Sequence, residues 1–370
     1  MKKNNIIEPM ELAERICGTI MGKYSAAELP PKGRFHYHQG VFLCGVEQTY
    51  LSTGKSCYSK YIKSWINLFL CDDGEIVRCN QRVLDDKQPS NLLFRLFEEE
   101  SEEKYELALR QVRESMTLWP VNRFGGFWHM LYSNKKNQMW LDGLYMIGEF
   151  LARYGAKFGD SSCFDAVILQ ARLMWENMRD EKSGLLYHAW DPEKDAKWAD
   201  METGLSPHIW GRANGWYISA LIIILNYIPL SRRERSMLIG YVREYIECLV
   251  RFQGDDGLWY QILDMPGAKG NWTETSCSAL FLYAISNAVL SSLIDRDYMK
   301  YADKAYEGLA KRMVLHDDKT VTVPQICIGT GIGNFEYYAE RPRSENDLHG
   351  VGAMLLGCNA YNKVCNMLNN

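Results

Sequence analysis

No stretch of this 370-residue chain is apolar for long enough to cross a bilayer. The longest apolar run, Trp216 to Ile228, is about 13 residues long and is broken by Asn226, against the ~20 that a spanning helix needs. It reads as a buried helix. No apolar run follows Met1-Lys2-Lys3 that could act as a secretory signal, so the expected location is the cytoplasm. Neither sign of charge dominates: 42 Lys and Arg against 46 Asp and Glu leave −4, too little for a global field that attracts nucleic acid or anionic lipid. The eleven cysteines are odd in number and none has CxxC spacing, which argues against a disulfide framework or a zinc site and for buried free thiols in a reducing compartment. There is no Gly-x-Ser-x-Gly elbow. Gly329, Gly331 and Gly333 fail the nucleotide-loop spacing because Asn334 stands where the pattern needs another residue, and they read as a flexible rim turn. His36-x-His38 has no evident third ligand, so no metal and no cofactor is expected.

What the chain does contain is helical periodicity and aromatic side chains. Hydrophobic residues make up 47%, charged residues 24% and aromatics 12%; the balance is that of a folded globular protein, with an excess of flat rings that suits sugar stacking or a large helical core. From Phe164, the positions Val167, Ile168, Ala171, Met174, Trp175 and Met178 recur at amphipathic spacing, so that helix has one wet side. Trp216–Leu225 is apolar all round and belongs to an inner layer. The two kinds alternate, separated by acidic turns such as Asp72-Asp73-Gly74, Asp255-Asp256-Gly257 and Asp317-Asp318. Outer helices are expected near 8–24, 58–70, 102–118, 164–179, 235–253 and 298–314, and inner helices near 39–53, 89–99, 139–154, 212–227, 274–292 and 347–364. Six pairs, each with an apolar face to cover, imply a closed ring. The expected fold is all-α, a six-hairpin (α/α)6 toroid formed by residues 1–370 as one domain.

The connections into the inner helices are the most aromatic and Gly-rich parts of the chain, and they gather around one mouth of such a ring. Asp142, in Trp140-Leu141-Asp142-Gly143, is either an N-cap or a carboxyl in poorly solvated aromatic surroundings that raise its pKa and keep it protonated as a general acid. Asp85-Asp86 precede another inner helix; one of them can cap it, and a second carboxylate near Asp142 would help it hold a proton. His188 is a substrate donor or a satisfied loop histidine. Arg212, between Trp210-Gly211 and Asn214-Gly215-Trp216, suits a substrate carboxylate or pairs with a surface acid.

The segments LDDKQPSNLLFRLF, GGFWH, NQMWLDGLYM, YHAWD, PHIWGRANGWY, GLWYQILDMPG, CIGTGIGNFEYYAERP and DLHGVGAMLL together resemble the unsaturated rhamnogalacturonyl hydrolases of glycoside hydrolase family 105, relatives of the family 88 unsaturated glucuronyl hydrolases. The resemblance covers nearly the whole chain. It implies an (α/α)6 barrel that removes a 4,5-unsaturated galacturonic acid from the non-reducing end of a lyase-generated pectin fragment. An aspartic acid protonates C4, water adds at C5, and the hemiketal opens to release the neighbouring sugar. On that pattern Asp142 is the catalytic acid and water activator and Asp85 the second carboxylate, with Tyr37, His129, Trp140, His188, Trp210, Arg212 and Trp216 as substrate-binding positions. Where family members carry a lysine after the histidine of GGFWH, this chain has Met130, and Lys135 or Lys136 stands nearby instead. The partner is then a small oligosaccharide, with neither nucleic acid nor membrane, and the chain a monomer or weak homo-oligomer. Turnover of unsaturated glucuronyl oligosaccharides, a sugar epimerase, and a non-catalytic uronide-binding protein are the competing readings.

Overall fold

The computed structural model describes residues 6–100 and 102–369. In chain order the α-helices are α1 (Pro9–Lys23), α2 (Tyr37–Thr53), α3 (Ser56–Ile66), α4 (Leu93–Glu100), α5 (Glu103–Thr117), α6 (Asp142–Phe158), α7 (Ser161–Met178), α8 (Gly211–Leu225), α9 (Glu234–Leu249), α10 (Thr275–Leu290), α11 (Met299–Arg312), α12 (Phe335–Ala339) and α13 (Leu348–Asn369). Burial separates them into two layers. Every residue of α8 is buried, whereas α9 buries Leu238, Val242, Tyr245, Ile246, Cys248 and Leu249 and exposes the opposite face. The inner layer closes on itself: α2 packs against α13, α13 against α10, α10 against α8, α8 against α6, α6 against the 3-10 helix Asp85–Leu92 that leads into α4, and that helix against α2. Helices α1, α3, α5, α7, α9 and α11 lie outside, so the fold is the expected (α/α)6 barrel.

Close approach between inner helices depends on glycine where two backbones meet. A Cβ on Gly352 of α13 would lie 2.4 Å from the Val41 carbonyl oxygen and 2.6 Å from the Phe42 nitrogen of α2.

The structure departs from the expected boundaries where the chain turns into the barrel mouth. The inner helix expected over 89–99 begins as a 3-10 helix, with Pro89, which has no N–H to donate, in its middle. The helix expected from 139 starts at Asp142. Met139–Trp140 (β1) instead pairs antiparallel with Ala189–Trp190 (β2), Trp140 opposite Ala189. Two further pairs of two-residue strands complete the described strands: β3 (Val314–Leu315) with β4 (Val321–Thr322), and β5 (Ile326–Cys327) with β6 (Arg343–Ser344). All eleven cysteines are free thiols, but not all are buried as expected: Cys57 and Cys71 are exposed on the outer layer. No described helix is long and apolar enough to cross a membrane.

Candidate active site

At one mouth of the barrel the loops entering α2, α4, α6 and α8 and the segment after β5 enclose a cavity of about 300 Å³. Its walls include Tyr37, Asp85, His129, Trp140, Asp142, Trp210, Arg212 and Trp216, so eight of the nine residues singled out in the sequence converge there. A larger groove, of about 610 Å³, passes Arg243, Glu247 and Met367 on the outside of the barrel, away from these carboxylates.

Each side chain is placed by a local device. The β1–β2 ladder carries Trp140 and Asp142 against His188, and the Leu141 amide donates to the His188 carbonyl at 3.1 Å. Asp142 is the first residue of α6, yet its carboxylate caps no backbone N–H; it lies 3.3 Å from His188 Nε2 and opens onto the cavity. The capping reading therefore fails. His188 is the residue that does not reach the cavity. It is fully buried behind Asp142, with Nδ1 2.7 Å from the Tyr338 hydroxyl. If that hydroxyl donates to Nδ1, the ring presents Nε2–H to Asp142. Tyr338 was not singled out in the sequence, although it stands in the quoted FEYYAERP segment.

The two acids of Asp85-Asp86 divide their work. Asp86 accepts the Asn80 backbone N–H at 2.9 Å and is buried in the turn, whereas Asp85 faces the cavity with Oδ1 3.3 Å from His129 Nε2. His129 stacks on Trp140, ring centroids 4.4 Å apart and planes 17° from parallel. Burial lowers the His129 pKa to about 4, which leaves the ring neutral at ordinary pH.

The proton of this carboxyl pair does not sit where the sequence placed it. Burial, then the charges of Asp142 and Asp86, push the Asp85 carboxyl well above the ordinary carboxylate range. Burial pushes Asp142 the same way, but His188, followed by His129 and Arg212, outweighs it and holds Asp142 below that range. The expectation of a raised Asp142 pKa is corrected: the pair's proton rests on Asp85, because His188 and Arg212 act on Asp142, whereas Asp85 meets the neutral His129 and two acids.

Arg212 is 2% exposed and stacks on Trp210, its guanidinium carbon 4.4 Å from the ring centre. Its Nη1 donates to the Cys327 carbonyl and lies 2.9 Å from His349 Nε2, and Nη2 donates to the Ile328 carbonyl at 2.8 Å. Among the described residues no carboxylate lies within ion-pair distance of it, so the surface-pairing alternative fails too. A buried cation held by carbonyls at a cavity wall is an anion site. The loop supplying those carbonyls is tied down rather than slack: Arg341 Nε donates to Thr330 Oγ1 at 3.1 Å, and the Gly331 amide to the Tyr337 hydroxyl at 3.0 Å. At the rim, half-buried Lys135 stands with Nζ 5.1 Å over the Trp140 ring and has no acidic partner among the described residues.

His38, Asp347 and His349 bring their donor atoms within 4.8 Å of one another, a group that takes in His38 but not His36, whose Nε2 lies 4.0 Å from Asp86 Oδ1. Both imidazole Nδ1 atoms converge on one oxygen, Asp347 Oδ1, at 2.9 Å each, and His349 turns its other nitrogen to Arg212. A cation set among them would face a guanidinium.

Comparison with known proteins returns the same family from several directions. The model of Glycosyl Hydrolase Family 88 matches residues 12–364. A family 105 glycoside hydrolase of C. acetobutylicum ATCC 824 superposes with a TM-score of 0.90 at 31% identity, covering 95% of this chain and 99% of that one. The unsaturated rhamnogalacturonyl hydrolase YesR of Bacillus subtilis (strain 168) is 27% identical over 322 residues, 85% of this chain and 86% of that protein. The unsaturated glucuronyl hydrolase of Bacillus sp. GL1 shares the fold, with a TM-score of 0.68 at 16% identity.

Proposed function

The chain belongs to the family 88 and 105 glycoside hydrolases, and from that premise we propose that it removes a 4,5-unsaturated galacturonic acid from the non-reducing end of rhamnogalacturonan fragments, by hydrating the C4=C5 double bond. The observation that carries this reading is one aromatic cavity holding two carboxyl groups, Asp85 and Asp142, and a buried arginine with no acidic partner among the described residues. An ordinary glycosidase sets two carboxyls about a scissile acetal oxygen. Here the fixed cation recognises the uronate carboxylate, and the carboxyl pair shares the proton that an enol ether needs.

In the proposed sequence, the uronate carboxylate binds Arg212 and its sugar ring lies against Trp210, Trp216 and Tyr37. The bound anion offsets the field of Arg212 at Asp142 and adds negative charge to the pocket, so the Asp142 pKa rises toward that of Asp85. Asp142 then delivers a proton to C4. Water adds at C5, and the resulting carboxylate takes the water's proton, restoring the acid. The hemiketal at C5 opens to a ketone, the ring oxygen becomes a hydroxyl at C1, and the C1 hemiacetal expels the neighbouring sugar. One water is consumed and no net proton is exchanged. His188, backed by Tyr338, holds Asp142 in place and stabilises its charged form, which makes it a positioning residue rather than a substrate contact. His129, 3.3 Å from Asp85 Oδ1, holds that carboxyl in place and adds its stacked face to Trp140. The similarity to YesR supports the galacturonyl-rhamnose substrate. Lys135, over Trp140, is placed to meet the leaving sugar.

The test follows the ultraviolet absorbance of the conjugated alkene with unsaturated galacturonyl-rhamnose and unsaturated glycosaminoglycan disaccharides side by side. Wild-type enzyme is expected to consume the first faster, and Asp142→Asn to consume neither while keeping its fold by circular dichroism. Full turnover by Asp142→Asn overturns the mechanism, and faster loss of the glycosaminoglycan substrate overturns the substrate assignment.

A further inference from the structure

Arg212 has five N–H groups, and the fold uses three of them: two on Nη1, toward the Cys327 carbonyl and His349 Nε2, and one on Nη2, toward the Ile328 carbonyl. No protein acceptor meets Nε–H or the second Nη2–H among the described residues, and Arg212 lines the cavity. These two donors suit a bidentate carboxylate. What fixes that free pair is the set of acceptors behind it. Two are backbone carbonyls of β5 and its extension. The third is the imidazole of His349, fully buried on α13.

His349 Nε2 lies 2.9 Å from Arg212 Nη1 and 3.1 Å from the Cys327 carbonyl; that carbonyl already accepts from Nη1, and an arginine N–H can only donate, so Nε2 accepts from the closer arginine. The ring's proton is then on Nδ1, which lies 2.9 Å from Asp347 Oδ1. Asp347 is held in turn by His38 Nδ1 at 2.9 Å, and His38 is itself on the cavity wall. We propose that His38, Asp347 and His349 form a relay that sets the tautomer of His349 and thereby the orientation of Arg212, making Asp347 and His349 positioning residues for carboxylate recognition. The proposal rests on the uronate reading of the Arg212 site. It extends that reading to two residues of the last inner helix and the turn before it that do not line the cavity. It also fits the burial of the cluster. The relay's lowered His349 pKa, about 4, has burial as its main cause and the Arg212 charge as its second, so the ring stays neutral and able to accept at working pH. Asp347 stays ionised because His349 and His38 outweigh its burial.

The test measures kcat and KM of full-length enzyme on unsaturated galacturonyl-rhamnose and on its uronate methyl ester. Losing a charge-assisted hydrogen bond to a buried arginine corresponds to about ten- to hundredfold. His349→Phe is therefore expected to raise KM for the free acid by about that factor, with kcat within about threefold, and to change KM for the ester by less than about threefold. His349→Gln, whose amide oxygen can accept from Nη1, is expected to recover most of the loss. On an Arg212→Lys background His349→Phe should cost less than about threefold, since the partner it orients is gone. Asp347→Asn gives a second route should His349→Phe fail to fold, and is expected to show the same preference for an effect on KM. A loss in kcat at unchanged KM, equal losses on acid and ester, or the full cost persisting beside Arg212→Lys each overturn the relay. If wild-type enzyme leaves the alkene intact, the substrate reading falls while the relay is still decided: calorimetric binding of galacturonate weakened about tenfold by His349→Phe supports it, and equal binding overturns it.

Discussion

Asp85→Asn separates the two carboxyls by chemistry rather than by shape. The amide keeps the size of the side chain and can still meet His129 Nε2, 3.3 Å from Oδ1 in the native protein. What it cannot do is hold the proton. In the wild-type site burial and the charges of Asp142 and Asp86 keep the Asp85 carboxyl protonated well above the ordinary carboxylate range, while Asp142 is held below it. Replacing Asp85 removes the group that holds the pair's proton and leaves Asp142 beside His188, His129 and Arg212, which hold it below the ordinary carboxylate range. Acid–base catalysis is worth about 10²–10⁴ in rate, and kcat is expected to fall by that factor, roughly 2.7–5.4 kcal/mol of barrier. KM should stay within about threefold, because Arg212 and the tryptophan walls are untouched. The pH profile of kcat supplies the sign. Wild-type activity requires one proton on the pair, so it is present below the raised pKa and lost as pH rises through it. In Asp85→Asn only Asp142 can carry that proton, and the alkaline limb must move to lower pH. Continuous loss of alkene absorbance across a buffer series measures both quantities. Turnover within about threefold of wild type, with the alkaline limb unmoved, would falsify the shared-proton account.

Gly352→Ala should destabilise the barrel by about 3 kcal/mol, since its Cβ would meet backbone atoms of Val41 and Phe42 that cannot swing away; denaturant unfolding within about 0.5 kcal/mol of wild type counts against the close α2–α13 approach. His129, lowered from 6.5 to about 4, stays neutral in the folded protein while the unfolded chain takes up its proton, so its share of stability is present above about pH 6.5 and lost as pH falls toward 4. Relative to wild type, His129→Phe should flatten the stability curve in that window by about 1.4 kcal/mol per pH unit, and a parallel curve refutes this. Lys135→Ala should lower kcat/KM on the disaccharide by about three- to tenfold through the leaving sugar, while leaving inhibition by free galacturonate unchanged; equal weakening of both places Lys135 on the uronate instead.

The fold was legible because it is written in periodicity. The all-round apolar stretch of α8 and the one-sided pattern of α7 differ in the residues themselves, and six such pairs leave closure as the way to cover the inner faces. At the barrel mouth boundaries slipped where local hydrogen bonding competes with the helix, at Met139–Trp140, which is captured by β2, and at Pro89, where a 3-10 helix replaces the first turns; elsewhere α3 stops at Ile66, short of 70, and α13 runs on past 364 to Asn369. The convergence of Asp85, Asp142 and Arg212 was legible through the aromatic and glycine-rich segments that carry them. Choosing Asp85 over Asp86 came from the family resemblance and not from the residues themselves, because neighbours on a 3-10 helix point about 120° apart and only tertiary packing decides which faces the mouth.

The position of the proton was hidden for a deeper reason. A lone carboxyl among tryptophans titrates high, and by that rule alone Asp142 is the protonated member. The rule fails when partners arrive from elsewhere in the chain: His188 by way of the β1–β2 ladder, Arg212 from the start of α8. Asp85 sees only a neutral histidine and two acids, so the same burial has the opposite outcome one helix away. Arg212 therefore acts on both halves of the chemistry. Empty, it helps keep Asp142 charged; occupied by a carboxylate, it no longer does so, and the acid is armed by the arrival of the anionic substrate that it must protonate. An uncharged analogue of the same sugar, filling the same cavity, would leave Arg212 uncompensated and Asp142 ionised, and for that reason the methyl ester should react slowly even at saturation, its deficit lying in kcat as well as KM.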